Sequence, residues 1–170
     1  MRLPKTCVYA IQASLYLVLQ RPARRYVPIG VIARDLKISP HFLTKVLQAL
    51  TANHVLTSYR GPNGGVGLAA APEDITLMQI IGAFDNGDIF DNCLLGLPGC
   101  GKLKPCPVHE YWEQMRMRLR QAFQATTLAN MALNVENGTL RLASIDLVFS
   151  PLSREDNRKQ PTSGRSKNRD

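Results

Sequence analysis

The sequence lacks long apolar runs, is poor in aromatic residues and has a single acidic residue in its first 68 positions. No stretch approaches the roughly 18 consecutive apolar residues of a membrane-spanning helix, so we expect no membrane partner. The N-terminal segment offers no small-residue cleavage site, which argues against a secretion signal. Four cysteines without an export signal do not indicate a disulfide framework, and we therefore expect a cytoplasmic protein.

The net charge of +8 is unevenly distributed along the chain. Residues 1–68 carry nine basic residues against Asp35 alone, a balance of +8. Residues 69–150 carry six basic and nine acidic residues, and residues 151–170 contribute a further +3. A basic block beside an acidic one predicts a polyanion-binding half joined to a different unit, although solubilising charge is the alternative.

Helical periodicity dominates the basic block. Apolar residues at helical spacing predict a first helix over residues 5–20 and a second from Pro28. Ser39 is suited to be an N-cap and Pro40 to be the first helical residue, so a third helix should run from Pro40 to about Asn53. Two short helices joined by a tight turn form a helix-turn-helix.

A β-hairpin is predicted directly after the third helix. Residues 55–60 favour a strand, residues 61–65 are rich in glycine and proline, and residues 66–68 can return as a partner strand. Thr76 should then cap a short helix through Ala83. The fold class is therefore mainly α with a small β-wing: a winged helix-turn-helix domain over residues 1–84, followed by a long dimerisation helix.

The remainder of the chain divides into four segments. Residues 85–107 have no periodicity and hold three of the four cysteines, and a loop of this length is usually functional or disordered. Residues 108–135 are predicted as a dimerisation helix, with a shorter capped turn at Thr127-Leu128-Ala129 as an option. Its apolar stripe comprises Val108, Tyr111, Trp112, Met115, Leu119, Ala122 and Phe123. The stripe predicts pairing with a second copy in a homodimer; packing within its own chain is the alternative. We expect a C-terminal extension over residues 136–150, with a loosely alternating strand at 139–149, and a disordered basic tail over residues 151–170.

The polar face of the third helix suits DNA recognition, because the second helix of this motif enters the major groove. Gln48 suits adenine, Lys45 suits guanine or phosphate, and the Thr44 methyl suits thymine. Arg60, at the tip of the hairpin, suits either minor-groove insertion or a phosphate contact. An ordinary polar surface is the alternative. The candidate DNA contacts are Ser39, His41, Thr44, Lys45, Gln48, Tyr59, Arg60 and Asn63.

The cysteines of the loop form the second candidate site. Cys93, Cys100 and Cys106 are separated by six and five residues, and His109 follows three positions after Cys106. Three thiols and an imidazole can hold an iron–sulfur cluster or zinc, and the wide gaps favour a multi-atom cluster. Reactive thiols, a zinc staple or no special role remain as alternatives. Cys7 is expected to be a small buried apolar residue.

Enzymatic activity is not expected. The sequence has no phosphate-binding loop and no paired carboxylates, and a zinc hydrolase built on His109 would have only Glu110 as an adjacent base.

The combination of these motifs resembles the Rrf-two (BadM-type) bacterial transcription regulators. The resemblance lies in Met1-Arg2-Leu3, in the helix segment from Ile38 to Leu43 and in the wing from Arg60 to Gly65. It continues in Glu73-Asp74-Ile75-Thr76-Leu77 and in Cys106-Pro107-Val108-His109 running into Trp112. It covers about residues 1–135 and implies a dimeric winged-helix regulator of double-stranded operator DNA.

The resemblance also implies a cofactor. Members with three loop cysteines, such as the IscR, NsrR and rhizobial iron regulator types, carry a 2Fe–2S or 4Fe–4S cluster that senses iron, redox state or nitric oxide. We expect 2Fe–2S here, with His109 as fourth ligand as in the IscR type, because Val8 stands where the NsrR type has an acidic ligand. Thr44 stands where the IscR type has a glutamate, so its operator sequence is not expected to carry over.

Overall fold

The computed structural model describes residues 3–20, 25–62, 64–84, 88–101 and 103–137. These ranges contain seven helices and two strands, which confirms a mainly α fold with a small β-wing. In chain order the elements are α1 (Lys5–Leu19), α2 (Ile29–Asp35), α3 (Pro40–Ala52), β1 (Leu56–Tyr59), β2 (Gly65–Leu68), α4 (Leu77–Gly82), α5 (Asp88–Asp91), α6 (His109–Ala125) and α7 (Leu128–Glu136). No helix in the described ranges has the length and apolar character needed to cross a membrane.

The core is built around α1, which contacts α3, α4, α7 and β2. Leu15 of α1, Ile32 of α2 and Leu47 of α3 are fully buried in it, as the predicted apolar stripes require. Tyr16 donates a 2.6 Å hydrogen bond from its hydroxyl to Asp35 at the end of α2. This bond uses the single carboxylate of the basic block to join α1 to α2.

The helix-turn-helix comprises α2 and α3, close to the predicted bounds. Lys37 has a φ of 54° in the connecting turn, and the backbone N–H of Ile38 donates to the Ala33 carbonyl at 2.9 Å to close the end of α2. Pro40 is the first residue of α3, as predicted. Ser39 occupies the predicted N-cap position, although its hydroxyl makes no capping hydrogen bond.

The wing is an antiparallel hairpin in which Leu56 pairs with Leu68 and Tyr59 with Gly65. Val27 adds a short third segment, since its N–H and carbonyl exchange hydrogen bonds of 2.9 and 3.0 Å with Val66. No pattern in the sequence indicated this third segment. A Cβ at Gly65 would lie 2.2 Å from the Val27 carbonyl oxygen, so only glycine permits this close approach.

The helix predicted over residues 108–135 is interrupted. α6 ends at Ala125, and α7 begins at Leu128 after the Thr127 side chain accepts a hydrogen bond from the Asn130 N–H. Thr127 also forms an antiparallel bridge with Thr76, the residue that caps α4 through a reciprocal pair of hydrogen bonds with Gln79. α6 therefore leaves the winged domain at a fixed joint, while α7 folds back onto α1.

The remaining predictions concern the cysteine loop and the C-terminal segments. The segment predicted as an unstructured loop contains α5. The strand expected at 139–149, within the predicted 136–150 extension, and the tail over 151–170 lie outside the described residues, as does Asn63.

Replacing Leu128 should test the role of α7 in the core. Leu128 is fully buried, so Leu128→Ala should lower the free energy of unfolding by about 2–5 kcal/mol. Leu133→Ala on the same helix is the matched control, because Leu133 is 56% exposed and its loss should change stability by less than about 0.5 kcal/mol. Urea unfolding followed by circular dichroism measures both, and equal effects would contradict the docking of α7.

Candidate DNA interface and metal centre

The polar face of α3 is presented as predicted. His41, Lys45 and Gln48 are exposed and Thr44 is half-buried, while the buried residues of the helix are Leu43, Val46, Leu47 and Leu50. The Thr44 hydroxyl donates a 2.8 Å hydrogen bond to the Pro40 carbonyl. Its donor is therefore satisfied within the helix, and its methyl group is left for an apolar contact.

A cleft of about 620 Å³ separates α3 from the wing. Thr44 and Gln48 line one wall, and Tyr59 and Arg60 line the other, so the structure brings four of the predicted DNA contacts together. None of the lining residues is acidic, which makes the cleft compatible with a polyanion. Ser39, His41 and Lys45 do not line the cleft.

The hairpin tip depends on glycine for its own folding. Gly61 has a φ of +146°, and a Cβ at Gly64 would lie 2.7 Å from the Tyr59 carbonyl oxygen and 2.8 Å from that of Gly61. Both glycines therefore allow the chain to turn tightly after β1, as the turn residues of the predicted hairpin indicate.

The three loop cysteines meet at one point in front of α6. The Sγ atoms of Cys93, Cys100 and Cys106 all lie within 4.8 Å of one another, and those of Cys93 and Cys106 are 3.7 Å apart. His109, the first residue of α6, places Nδ1 3.3 Å from the Cys100 Sγ. Cys7 is fully buried in α1, as predicted.

The thiols differ in acidity. Hydrogen bonds from the backbone of Leu97 and Leu95 lower the pKa of Cys93 to about 7, so much of this side chain is thiolate at neutral pH. A backbone hydrogen bond from Cys106 acts in the same direction on Cys100. Burial and the neighbouring sulfurs of Cys93 and Cys106 outweigh it and raise the pKa of Cys100.

The donor set fits a metal group. Two sulfurs bound to one tetrahedral metal at about 2.3 Å would lie roughly 3.8 Å apart, and the Cys93–Cys106 separation is 3.7 Å. The Nε2 atom of His109 is buried and has no hydrogen-bond partner among the described residues. Three soft sulfurs and an imidazole suit zinc or an iron–sulfur cluster.

Three side chains of α6, which we call the α6 clamp, hold the segment that leads into Cys93. Trp112 donates from Nε1 to the Asn92 carbonyl at 2.9 Å, and Arg116 donates from Nη1 to the Phe90 carbonyl at 2.9 Å. Arg120 forms a 3.1 Å ion pair with Asp91, and its guanidinium lies 5.3 Å from the Phe90 ring centre. Phe90 also meets Phe123 edge-on at 5.9 Å.

Sequence reasoning missed the α6 clamp, although Trp112, Arg116 and Arg120 recur at four-residue intervals on one helix face. It placed Trp112 and Phe123 in a stripe for a second copy, but both pack against the loop segment of their own chain. Tyr111 and Met115 of the same stripe remain 77% and 58% exposed. The stripe therefore divides into an intrachain part and an uncovered part.

Comparisons with known proteins point to one family. The family profile named Rrf2 and described as an iron-dependent transcriptional regulator matches residues 3–134. A protein of Aquifex aeolicus (strain VF5), provisionally described as an HTH-type transcriptional regulator, is 36% identical over 133 residues, covering 77% of this chain and 90% of that protein. The HTH-type transcriptional regulator IscR of Escherichia coli O1:K1 / APEC is 30% identical over 136 residues, covering 80% of this chain and 83% of that protein.

The solved structure of CymR, the global cysteine regulator of B. subtilis, has the same fold. It superposes with a TM-score of 0.65 at 22% identity and covers 78% of this chain and 97% of that chain.

Proposed function

The chain belongs to the Rrf2 family of iron-dependent transcriptional regulators, and from this premise we propose that it is a homodimer whose operator affinity is controlled by an iron–sulfur cluster. The observation that carries the proposal is the meeting of three loop thiols within 4.8 Å at the start of α6. The same chain carries a basic winged helix-turn-helix. A sensor and a DNA-binding unit are thus joined by one helix.

The DNA contacts we propose come from α3 and the wing. Gln48 pairs with adenine, Lys45 with guanine or a phosphate, and the Thr44 methyl packs on thymine. His41 and Ser39 lie at the start of α3, where a recognition helix meets base edges and phosphates. Arg60, Tyr59 and Asn63 act from the wing. The acid-free cleft supports this arrangement, and a role in gene regulation agrees with a non-enzymatic protein in the cytoplasm.

The homodimer is proposed from the uncovered part of α6. This helix has no buried side chain, and Tyr111 and Met115, which lie one turn apart on one side of it, are each more than half exposed. An uncovered apolar pair on one side of a 17-residue helix favours a protein partner. A second copy of the same helix would pair the two winged domains by a two-fold axis, as a palindromic operator requires.

Cys93, Cys100 and Cys106 would hold the cluster, with His109 as the fourth ligand. When bound, the cluster would cross-link these four side chains, and the cross-link would be lost when iron or sulfide is lacking or when the cluster is damaged. We favour 2Fe–2S over 4Fe–4S, as the resemblance to the IscR type implies. The Nε2 atom of His109 is buried and has no hydrogen-bond partner among the described residues, which supports a role for this side chain as a ligand in addition to its contact with Cys100.

The α6 clamp provides the route from the cysteine site to the DNA. Cys93 follows directly after Asn92, whose carbonyl accepts a hydrogen bond from Trp112. A movement of the cysteine loop is therefore transmitted to α6. At its other end α6 is fixed to the winged domain, because the N–H of Leu77 donates to the Thr126 carbonyl at 2.8 Å. A change in the orientation of α6 would therefore change the distance between the two winged domains of the dimer.

A cluster-free thiol sensor is the second candidate. The 3.7 Å separation of the Cys93 and Cys106 sulfurs and the lowered pKa of Cys93 favour it, since a thiolate beside a second thiol is readily oxidised. A structural relative is named a global cysteine regulator. A structural zinc would fit the same donors. A cluster-free regulator that responds to a small ligand is a further form of this candidate.

Arg60→Ala should weaken binding to a duplex from the chain's own promoter. The loss of a groove contact should cost about 1–3 kcal/mol, roughly five- to 150-fold in affinity. Lys104→Ala is the charge-matched control, because exposed Lys104 lies in the cysteine loop and not at the cleft. Fluorescence anisotropy at fixed salt measures both, and wild-type affinity in Arg60→Ala would remove the wing from the interface.

Anaerobically purified wild-type protein should be coloured and should contain iron and sulfide, whereas Cys93→Ser should be colourless because one ligand is lost. Cys7→Ala, which alters a cysteine outside the site, should keep the spectrum. Gel filtration should show the same homodimer for all three. A colourless wild-type protein with stoichiometric zinc would refute the cluster and leave DNA binding standing, and a colourless, metal-free protein with oxidisable thiols would favour the second candidate.

A further inference from the structure

A cation lies on the outer edge of the wing, in a segment that sequence analysis did not connect with the hairpin. The guanidinium carbon of Arg25 is 5.6 Å from the centre of the Tyr26 ring. The Tyr26 ring in turn stacks on Tyr59 at 5.5 Å, with an angle of 29° between the planes. These three side chains form a continuous row, which we call the wing ladder.

The backbone holds the wing ladder in place. Val27, which follows Tyr26, is paired with Val66 of β2 by two hydrogen bonds. A Cβ at Gly67 would lie 2.3 Å from the Arg25 carbonyl oxygen and 3.4 Å from the Tyr26 ring, so the absence of a side chain there allows residues 25 and 26 to lie on β2. Arg25 is thus part of the wing, although it is distant from the hairpin in sequence.

The charge of Arg25 is not neutralised within the described part of the chain. Ion pairs there join Arg34 to Asp35 and Arg120 to Asp91, and none involves Arg25. Arg25 is exposed, and an arginine over an aromatic ring keeps its N–H donors available at the edge of the guanidinium plane. Its arrangement suits a phosphate, which accepts hydrogen bonds in that plane.

The position of Arg25 relative to the wing tip suits the DNA backbone. Steps of 5.6 and 5.5 Å place its guanidinium carbon no more than about 11 Å from the Tyr59 ring, which lines the cleft next to Arg60. The minor groove is about 6 Å wide, and phosphates flank it on both sides. With Arg60 in or beside the groove, a cation at this distance reaches a flanking phosphate.

We propose that Arg25 is an additional contact to the DNA phosphate backbone, and that Tyr26 is a positioning residue that holds Arg25 and Tyr59 on the wing. This inference rests on the proposed DNA-binding function and extends the interface from the wing tip to its outer edge. The contact reads no bases. It should therefore contribute affinity on every sequence and appear in the salt dependence of binding.

The test measures the affinity of the full-length homodimer for a fluorescein-labelled promoter duplex between about 0.05 and 0.3 M KCl, a range over which the loss of a phosphate contact changes the salt dependence measurably. The slope of log K against log salt is negative, and each lost phosphate contact reduces its magnitude by about 0.9, so Arg25→Gln should make the slope about 1.8 less steep in a dimer. Arg25→Lys should restore most of the slope. Arg34→Gln is the charge-matched control, since Arg34 is already paired with Asp35.

Tyr26 is tested by a double-mutant cycle. Tyr26→Phe keeps the ring and should bind the duplex as the wild type does. Tyr26→Ala should weaken binding, and adding Arg25→Gln to Tyr26→Ala should then change the affinity very little. Melting curves confirm that each variant is folded. If the wild type binds and Arg25→Gln keeps the wild-type slope, or if Arg34→Gln changes the slope equally, the inference is wrong. If the wild type does not bind, the proposed function itself fails.

Discussion

The attachment of the cysteine loop to α6 is the constraint on which the rest of the arrangement depends. A four-residue α5 and a loop rich in glycine and proline bury too little apolar surface to fix their own conformation. Trp112 and Arg116 bind the carbonyls of Asn92 and Phe90, and Phe90 is buried against Phe123. These contacts hold the residues directly before Cys93 against α6, on which His109 also lies.

The same helix connects the two ends of the molecule. Its N-terminal residue, His109, touches Cys100, and the residue after its C-terminus, Thr126, accepts a hydrogen bond from α4 of the winged domain. Between these ends one side of α6 holds the segment before Cys93 through the α6 clamp, and the side that carries Tyr111 and Met115 is exposed. A rigid element that is fixed at both ends and uncovered along one side suits the transmission of a local change to a dimer partner.

Local patterns predicted most of the winged domain, because helix periodicity, the proline at the start of α3 and the turn residues of the hairpin act over a few positions. The apolar stripe ends at Phe123 and the capped turn offered at Thr127 agrees with the start of α7, but no local pattern showed that α7 folds back onto α1. The stacking of Tyr26 on Tyr59 and the donors of the α6 clamp join residues distant in sequence. Spacing nominated the three cysteines, but only folding of the loop shows that their sulfurs converge.

The central claim is that the state of the cysteine site sets the affinity for DNA through α6. The most direct measurement is the ratio of operator affinities of the cluster-loaded and cluster-free homodimer, in the wild type and in Trp112→Phe, which keeps an aromatic ring but loses the N–H that donates to Asn92. We expect a wild-type ratio at least about fivefold from unity, and a ratio near unity in the variant with its cluster retained. Equal affinities of the two wild-type forms would contradict the account.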